Sequence, residues 1–249
     1  MLHDVHAALL ADVHPVIRLL RLLERHVPSI ARVATEQAAA HVVRHRSVDL
    51  LVEAALNDGF GQIVVVGAGY DSRAWRLPGA ELATWYEVDR PEMAAIKVAK
   101  LGAARLDVDR VRRVPASVHT PAWLVDLERA GWNRHEPSCF VVEGLLHYLD
   151  QGRAEALLDE LWAGPAPRRV LLSFIEPAMS RRVTPLYREL TRSFGEIPRT
   201  FFERETLGAK AAAAGRAWRS WDYPSQIQEF APGALGRSAG LSQLVGEAR

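Results

Sequence analysis

Residues 63–77 read IVVVGAGYDSRAWRL, a run of branched apolar residues that ends abruptly in Gly67-Ala68-Gly69. A nearly continuous apolar strand is expected where both faces of a parallel sheet are covered. A glycine turn after such a strand lets the backbone approach a ligand closely, and a helix follows it. The position where a dinucleotide fingerprint has its third glycine holds Ser72 or Arg73. That absence counts against a pyrophosphate seat and leans toward a cofactor with none.

Outward from this stretch, strands and helices alternate. The pattern predicts strands at Leu82–Val88, Val111–Val114, Ser138–Val142 and Arg169–Ile175. Helices are expected from Pro91 to about Leu101, from Thr120-Pro121 to Gly131, and from an Asp150 cap to about Trp162. This order argues for an α/β doubly wound, Rossmann-like sheet. Before it, the chain reads as helical to about Asn57, with Leu19, Leu20, Leu22 and Leu23 on one face. A break is expected at Pro28, with Ser29 as N-cap of the next helix. The expected division is a helical cap over 1–57 and a sheet domain over 58–249 with a short C-terminal substrate region. After about Glu176 the alternation weakens, and APGALGRSAG reads as loosely ordered.

Composition narrows the class. The chain has 249 residues, 49% hydrophobic and 24% charged, with a formal net charge of +1. That balance gives no electrostatic argument for nucleic acid or an anionic membrane. No apolar run is long enough to span a bilayer. The first residues carry Asp4, Asp12, His3, His6 and His14 and make a poor signal peptide, so a cytoplasmic location is expected. The single cysteine, Cys139, excludes an internal disulfide and a cysteine-rich metal site.

The polar residues at strand ends carry the chemistry. Glu87 and Asp89 end the second strand about twenty residues after the glycines, where an acid can accept hydrogen bonds from ribose hydroxyls. Nicotinamide dinucleotides and S-adenosylmethionine both carry that ribose. Glu143 emerges after the fourth strand, beside the switch point of an open sheet. His41 and His45 are one helical turn apart without a third ligand, so no metal is expected. Ser117, His119 and Asp126 lack the Gly-x-Ser-x-Gly elbow of a hydrolase. Arg44 and Arg46 either face solvent or reach an anionic cofactor group.

GAGYDSRAWRL, YEVDRPEMAAIK and FVVEGLLHYL, in this order and spacing, resemble the leucine carboxyl methyltransferase family. The likeness runs from about Arg44 to Ile175 and implies a class I S-adenosylmethionine-dependent methyltransferase. By motif position it implies that Gly67, with Ala68 and Gly69 around it, contacts the cofactor. It also implies that Asp89 holds the ribose and that Glu143 faces the cofactor. Arg44 matches the arginine that holds the cofactor carboxylate, while Asp71 and Arg73 brace the turn. Lys97 ends the second motif with no assigned role. Ser117 and Val118 stand where the family has Asp-Leu at the adenine amino group. The substrate is not implied, since its recognition lies in the N-terminal helices and tail.

The expected activity is therefore O-methylation of a small molecule, a carboxylic acid or a phenol, with the carboxylate favoured. A carboxylate is already anionic and needs only alignment, whereas a hydroxyl needs a base. His147 and His119 are the candidate bases, and Tyr148 could orient the substrate. Two alternatives stand beside this reading. One is a protein that binds the cofactor without transferring methyl. The other is a nicotinamide-dependent oxidoreductase, although no tyrosine is followed four residues later by lysine.

Overall fold

A computed structural model describes residues 28–180, 198–232 and 243–249, with side chains from residue 38 onward in the first stretch. The expectations for the leucine-rich helix before Pro28 and for most of APGALGRSAG lie outside the described residues, whereas Ser29, expected as an N-cap, is placed inside a helix that already includes Pro28. Helix α1 spans Pro28–Asn57, 30 residues, and presents Val43, Val48, Val52, Ala55 and Leu56 to the interior. NDGFG then turns the chain into β1, Gln62–Val66, in which every residue is buried.

The succession that follows is α2 (Arg73–Arg76), β2 (Thr84–Asp89), α3 (Pro91–Ala103), β3 (Arg112–Pro115) and α4 (Ala122–Arg129). It continues through β4 (Ser138–Val142), α5 (Gln151–Trp162), β5 (Arg168–Phe174) and α6 (Pro177–Ser180). The last elements are α7 (Arg204–Ala213), β6 (Trp218–Trp221), α8 (Tyr223–Phe230) and β7 (Leu244–Ala248). Local chemistry sets several of these ends. Asp150 accepts the Arg153 N–H at the start of α5, and Asp222 accepts the Ser225 N–H at the start of α8. Pro91 occupies the first turn of α3, where its missing N–H costs nothing.

Seven strands form one sheet in the order β3-β2-β1-β4-β5-β7-β6. The first five are parallel to their neighbours, with Val64 level with Tyr86 on one side and Phe140 on the other. Strand β7 runs antiparallel between β5 and β6. The order reverses between β1, which leads to β2, and β4. A crevice therefore opens at the carboxyl ends of β1 and β4, the place where open α/β sheets bind ligands.

Apolar side chains cover both faces of the sheet. On one face Trp123, Leu127, Leu157, Leu161 and Leu207 pack over Val64, Phe140 and Leu172. On the other, Leu51, Val52, Ala55 and Leu56 of α1 pack over Ile63, Val65 and Val141. Helix α8 closes on α1 through Tyr223, Ala40 and Val43, so the tail supports the helix that carries Arg44. Among the described residues, no helix is long and apolar enough to cross a membrane.

The tail departs from its loose sequence pattern. It supplies two strands, and β7 is buried along its whole length. Gly246 explains how: a Cβ there would lie 2.2 Å from the Trp218 ring, so only glycine lets the indole lie against β7.

Candidate cofactor and acceptor site

The glycine turn is built from the sheet outward. Gly67 and Gly69 both have positive φ, +70° and +46°, which side-chain-bearing residues seldom adopt. The Gly67 and Ala68 N–H groups donate to the Val88 carbonyl at 2.8 and 3.3 Å, fastening the turn to β2. A Cβ on Gly67 would lie 3.1 Å from the Leu145 side chain. The turn thus passes directly against the loop that follows β4.

Asp89 ends β2 beside this turn. Its Oδ2 accepts the Gly69 N–H at 2.6 Å and its Oδ1 accepts the Arg90 N–H at 2.7 Å. Glu87, two residues earlier on the same side of β2, is buried and accepts from Lys97 Nζ at 2.7 Å. The same ammonium donates to the Asp71 carbonyl at 2.6 Å. Burial pushes the Glu87 carboxyl above its ordinary value, with Lys97 opposing it. Lys97, which has no role from sequence, is therefore a buried tie between β2, α3 and the turn.

Beyond the turn lies a network of buried charge. Arg73 Nε donates to Asp49 Oδ1 at 2.7 Å, Nη1 to Asp71, and Nη2 to Glu143 Oε2 at 2.6 Å. Asp49 also receives both terminal nitrogens of Arg76, at 2.7 and 2.9 Å. Glu143 Oε1 accepts from Arg44 Nε at 2.8 Å, and His45 Nδ1 lies 3.0 Å from the same oxygen. Burial alone would raise the Glu143 carboxyl; the charges of His45, Arg73 and Arg44 outweigh it and hold it well below the usual range. Three guanidiniums (Arg44, Arg73, Arg76) thus face three carboxylates (Asp49, Asp71, Glu143), and all of them but the fully buried Asp49 line one cavity.

That cavity, about 380 Å³, is lined by Arg44, His45, Gly67, Gly69, Asp71 and Glu143 among others. Ala68 and Arg73 also border it. Glu87 and Asp89 border a separate small recess on the β2 side of Gly69. The structure therefore gathers most of the sequence-derived cofactor residues around the glycine turn. Asp49, His45 and Arg76 were not singled out from sequence for this role. Asp49 lies one helical turn after His45, a spacing that could have signalled it.

Of the three acceptor-side candidates, two are neighbours and the third lies on another loop. His147 and Tyr148 share a short 3-10 turn, Leu146–Tyr148, with their rings 4.1 Å apart. The His147 carbonyl accepts the Arg199 N–H at 2.6 Å, and its side chain is buried. Burial pushes the His147 imidazole down to about 3, with the charges of Arg44 and His41 adding to the effect. His119, by contrast, is exposed on the loop after β3, and its N–H donates to Ser117 Oγ at 3.3 Å. Ser117 is exposed, whereas Val118 is buried and its carbonyl accepts from Arg153 Nε. Arg153 is itself held by Glu160 through two bonds of 2.7 Å.

One cysteine and one cluster of three glutamates lie outside this cleft's lining. Cys139 is buried in β4, and burial pushes its thiol up to about 12, so it is not a ready nucleophile. Among the described residues, potential metal ligands converge at Glu176, Glu203 and Glu205, where Arg204 already pairs with Glu176 at 2.8 Å.

Comparison with known proteins follows the same lines. The family model for leucine carboxyl methyltransferase matches residues 3–162. A Frankia alni protein, provisionally named an S-adenosyl-L-methionine-dependent methyltransferase, is 34% identical over 169 residues, 67% of this chain and 55% of that one. A Streptomyces coelicolor protein of the same provisional name is 31% identical over 175 residues, 68% of this chain and 57% of that one. The chain spans about half the length of the curated relatives it matches. Among solved structures, a DUF574 family protein from Streptomyces avermitilis aligns with a TM-score of 0.66 at 15% identity, covering 99% of this chain and 97% of that one. Magnesium protoporphyrin IX methyltransferase from Synechocystis, solved with bound SAH, aligns at 0.51 and 15% identity, covering 96% and 89%. These structural likenesses bear on the fold.

Proposed function

The chain belongs to the leucine carboxyl methyltransferase family, and from that premise we propose that it is an S-adenosylmethionine-dependent O-methyltransferase acting on a small carboxylic acid. The observation that carries the reading is the pairing of Arg44 with Glu143 beside the Gly67 turn. An amino-acid end bears one carboxylate and one ammonium. Arg44 offers a planar fork for the first, and Glu143, held well below the usual carboxylate range by His45, Arg73 and Arg44, offers an anionic acceptor for the second. Asp89 would take the ribose hydroxyls, and Gly67 and Gly69 would let the nucleoside lie against bare backbone. Fit is supported by the turn itself, where Gly67 and Gly69 both hold positive φ and nothing lies within 4 Å of a Cβ built on Gly69, so bare backbone faces open space there.

S-adenosylmethionine, when bound, supplies a methyl group already activated on a sulfonium. The protein then has to align an acceptor and exclude water, and alignment alone supplies several kcal/mol. His147, pushed down to about 3, is a weak proton acceptor. An acceptor that is anionic at neutral pH suits such a site, because it needs no base. That favours a carboxylate over a phenol and a methyl ester as product. The reading extends to a role in secondary metabolism. It also keeps residues 1–57 as a helical cap over the sheet domain, with acceptor contacts from the cap and the tail.

A second reading, cofactor binding without transfer, has one observation in its favour. Ser117 stands at the end of β3 in place of a carboxylate, and the Val118 carbonyl is already taken by Arg153. The test is a methyl-transfer assay with labelled S-adenosylmethionine against a panel of carboxylic acids and phenols. Labelled methyl esters support the proposal. Cofactor binding with no transfer to any member of the panel favours the second reading.

A further inference from the structure

Ser173 puts a hydroxyl into the core of the sheet. It is fully buried near the end of β5, between Leu172 and Phe174, in a strand buried along its whole length. A buried hydroxyl costs free energy unless it is hydrogen-bonded, and this one both accepts and donates. Its oxygen accepts the Gly144 N–H at 2.8 Å, and its proton goes to Gln243 Oε1 at 2.6 Å. Gly144 directly follows Glu143 in the chain. The β4–β5 ladder ends with Val142 level with Leu172, so the Ser173 side chain carries the tie between these strands beyond the last backbone pair. Gly144 has a φ of +71°, and nothing beyond its chain neighbours lies within 4 Å of a Cβ built there. A hydrogen bond, rather than packing at that position, fixes the turn.

The tie continues through the tail to α1. Gln226 of α8 is fully buried and uses both amide hydrogens, on the Trp221 and Gln243 carbonyls, each at 3.0 Å. Its Oε1 lies 3.4 Å from Ser47 Oγ, which donates to the Val43 carbonyl at 2.8 Å. Ser47 is fully buried on α1, one turn after Arg44. Tyr223, at the start of α8, packs on Ala40 and Val43 of the same helix. One tail segment thus backs both Glu143 and the helix that carries Arg44. The glycine turn and Asp89 are fastened to β2 and to each other instead.

We propose that Ser173, backed by Gln243 and Gln226, is a positioning residue that sets Glu143 against Arg44 and so makes the cleft selective for a cofactor with an amino-acid end. This rests on the methyltransferase reading and gives the tail a part on the donor side of the reaction. Ser173 acts through the backbone at Gly144. When the Gly144 N–H loses its partner, the turn after Glu143 relaxes and the carboxylate shifts from the Arg44 and Arg73 guanidiniums that share it. The nucleoside end of the cofactor belongs to Asp89 and the glycines, which the relay does not hold. A ligand with both ends therefore loses affinity, and a ligand with the nucleoside end alone keeps it.

The experiment titrates the full chain with S-adenosylhomocysteine and reads the affinity of 5′-methylthioadenosine, which lacks the amino-acid end, by competition against it. In Ser173→Ala the S-adenosylhomocysteine affinity should fall roughly five- to tenfold, as for one lost neutral hydrogen bond. Methylthioadenosine affinity should stay within about twofold, as for independent sites. Ser173→Thr keeps the hydroxyl on a β-branched side chain suited to a strand and should restore S-adenosylhomocysteine binding. Gln226→Met keeps the side-chain length and removes the amide, so it should show the same selective loss; it decides the matter should the alanine variant not fold. A merely structural role would lower stability and weaken both ligands together. Equal losses for the two ligands, unchanged S-adenosylhomocysteine affinity in the alanine variant, or a threonine variant as weak as alanine would each overturn the assignment. Failure of the wild type to bind S-adenosylhomocysteine would overturn the methyltransferase reading instead.

Discussion

Arg44 on α1 and Glu143 after β4 lie 99 positions apart in sequence and meet at 2.8 Å. The contact joins the helix that precedes the sheet to the crevice where the strand order reverses. Both side chains are nearly buried, at 10% and 7% exposure, so the pair is poorly screened by solvent. A zwitterionic ligand entering the cleft would exchange with this pair, carboxylate for carboxylate and ammonium for guanidinium.

Arg44 and its near neighbour Arg46 should therefore respond differently to the same change. Arg46 is 39% exposed and lies 3.9 Å from Glu53, a contact worth little. Arg44→Lys should weaken S-adenosylhomocysteine binding roughly tenfold or more, because lysine cannot copy the two-pronged bond. Arg46→Lys should leave it within about twofold, on the near-zero worth of an exposed pair. Fluorescence or calorimetric titration of both variants decides the matter, and equal effects would detach Arg44 from the cofactor.

Asp49 is fully buried and receives Arg73 and Arg76. Removing one partner of a buried ion pair leaves uncompensated charge, at a cost of about 3–5 kcal/mol. Asp49→Asn should therefore lower the urea-unfolding free energy by an amount in that range. Asp126→Asn, which breaks only the exposed pair with Arg129, should change it by less than about 1 kcal/mol. Similar losses in both variants would contradict a buried network.

Gly67 and Gly59 separate backbone strain from crowding. Both have positive φ, +70° and +84°, so alanine at either position should cost about 1–2 kcal/mol of stability. Around Gly59 there is open space, whereas at Gly67 the new methyl meets Leu145 at 3.1 Å. Gly67→Ala should thus also reduce S-adenosylhomocysteine affinity, by displacing the loop that carries Glu143, while Gly59→Ala should not. Binding measured beside thermal melting distinguishes the two effects.

Four of the first five strands were legible because buried parallel strands are continuous apolar runs, and VVV, WYEV, FVV and VLL read that way directly; β3, RRVP with only Val114 buried, gave a short, weak signal. Boundaries shifted by a residue or two where a 3-10 turn intervened, as at Ala80–Leu82 before β2. The last two strands were not legible. WRSW is four residues with only Trp221 buried, and LVGEA carries a glycine and a glutamate where a core strand has branched side chains. The glycine makes room for Trp218, and Glu247 meets Arg249 at 3.0 Å; both reasons exist only in three dimensions. The same limit applies to the site. Arg44, Gly67 and Glu143 stand out by motif, but Asp49, buried against the Arg73 that grips Glu143, and His45, exposed beside Glu143, are ordinary helix residues until the fold brings β4 to α1.

The protonation of His147 gives a pH prediction. Its folded pKa is near 3, below the ~6.5 of an unfolded imidazole. Between these values only the unfolded chain binds the proton, so stability falls as pH drops through that window. The slope from this group is at most ~1.4 kcal/mol per pH unit. His147→Asn removes the titration, so wild type should lose more stability than the variant between pH 6.5 and 4. Equal slopes in urea unfolding would mean that His147 is not held neutral by the fold.

The central claim is that this cleft accepts the nucleoside amino acid of a methyl donor. Calorimetric titration of the full chain with S-adenosylhomocysteine, and in parallel with NADH, tests it most directly. The account predicts one saturable site for S-adenosylhomocysteine, no detectable binding of NADH, and an affinity for the former reduced roughly tenfold or more by Asp89→Ala, as for lost charge-assisted bonds. Tight binding of NADH with none of S-adenosylhomocysteine would contradict it.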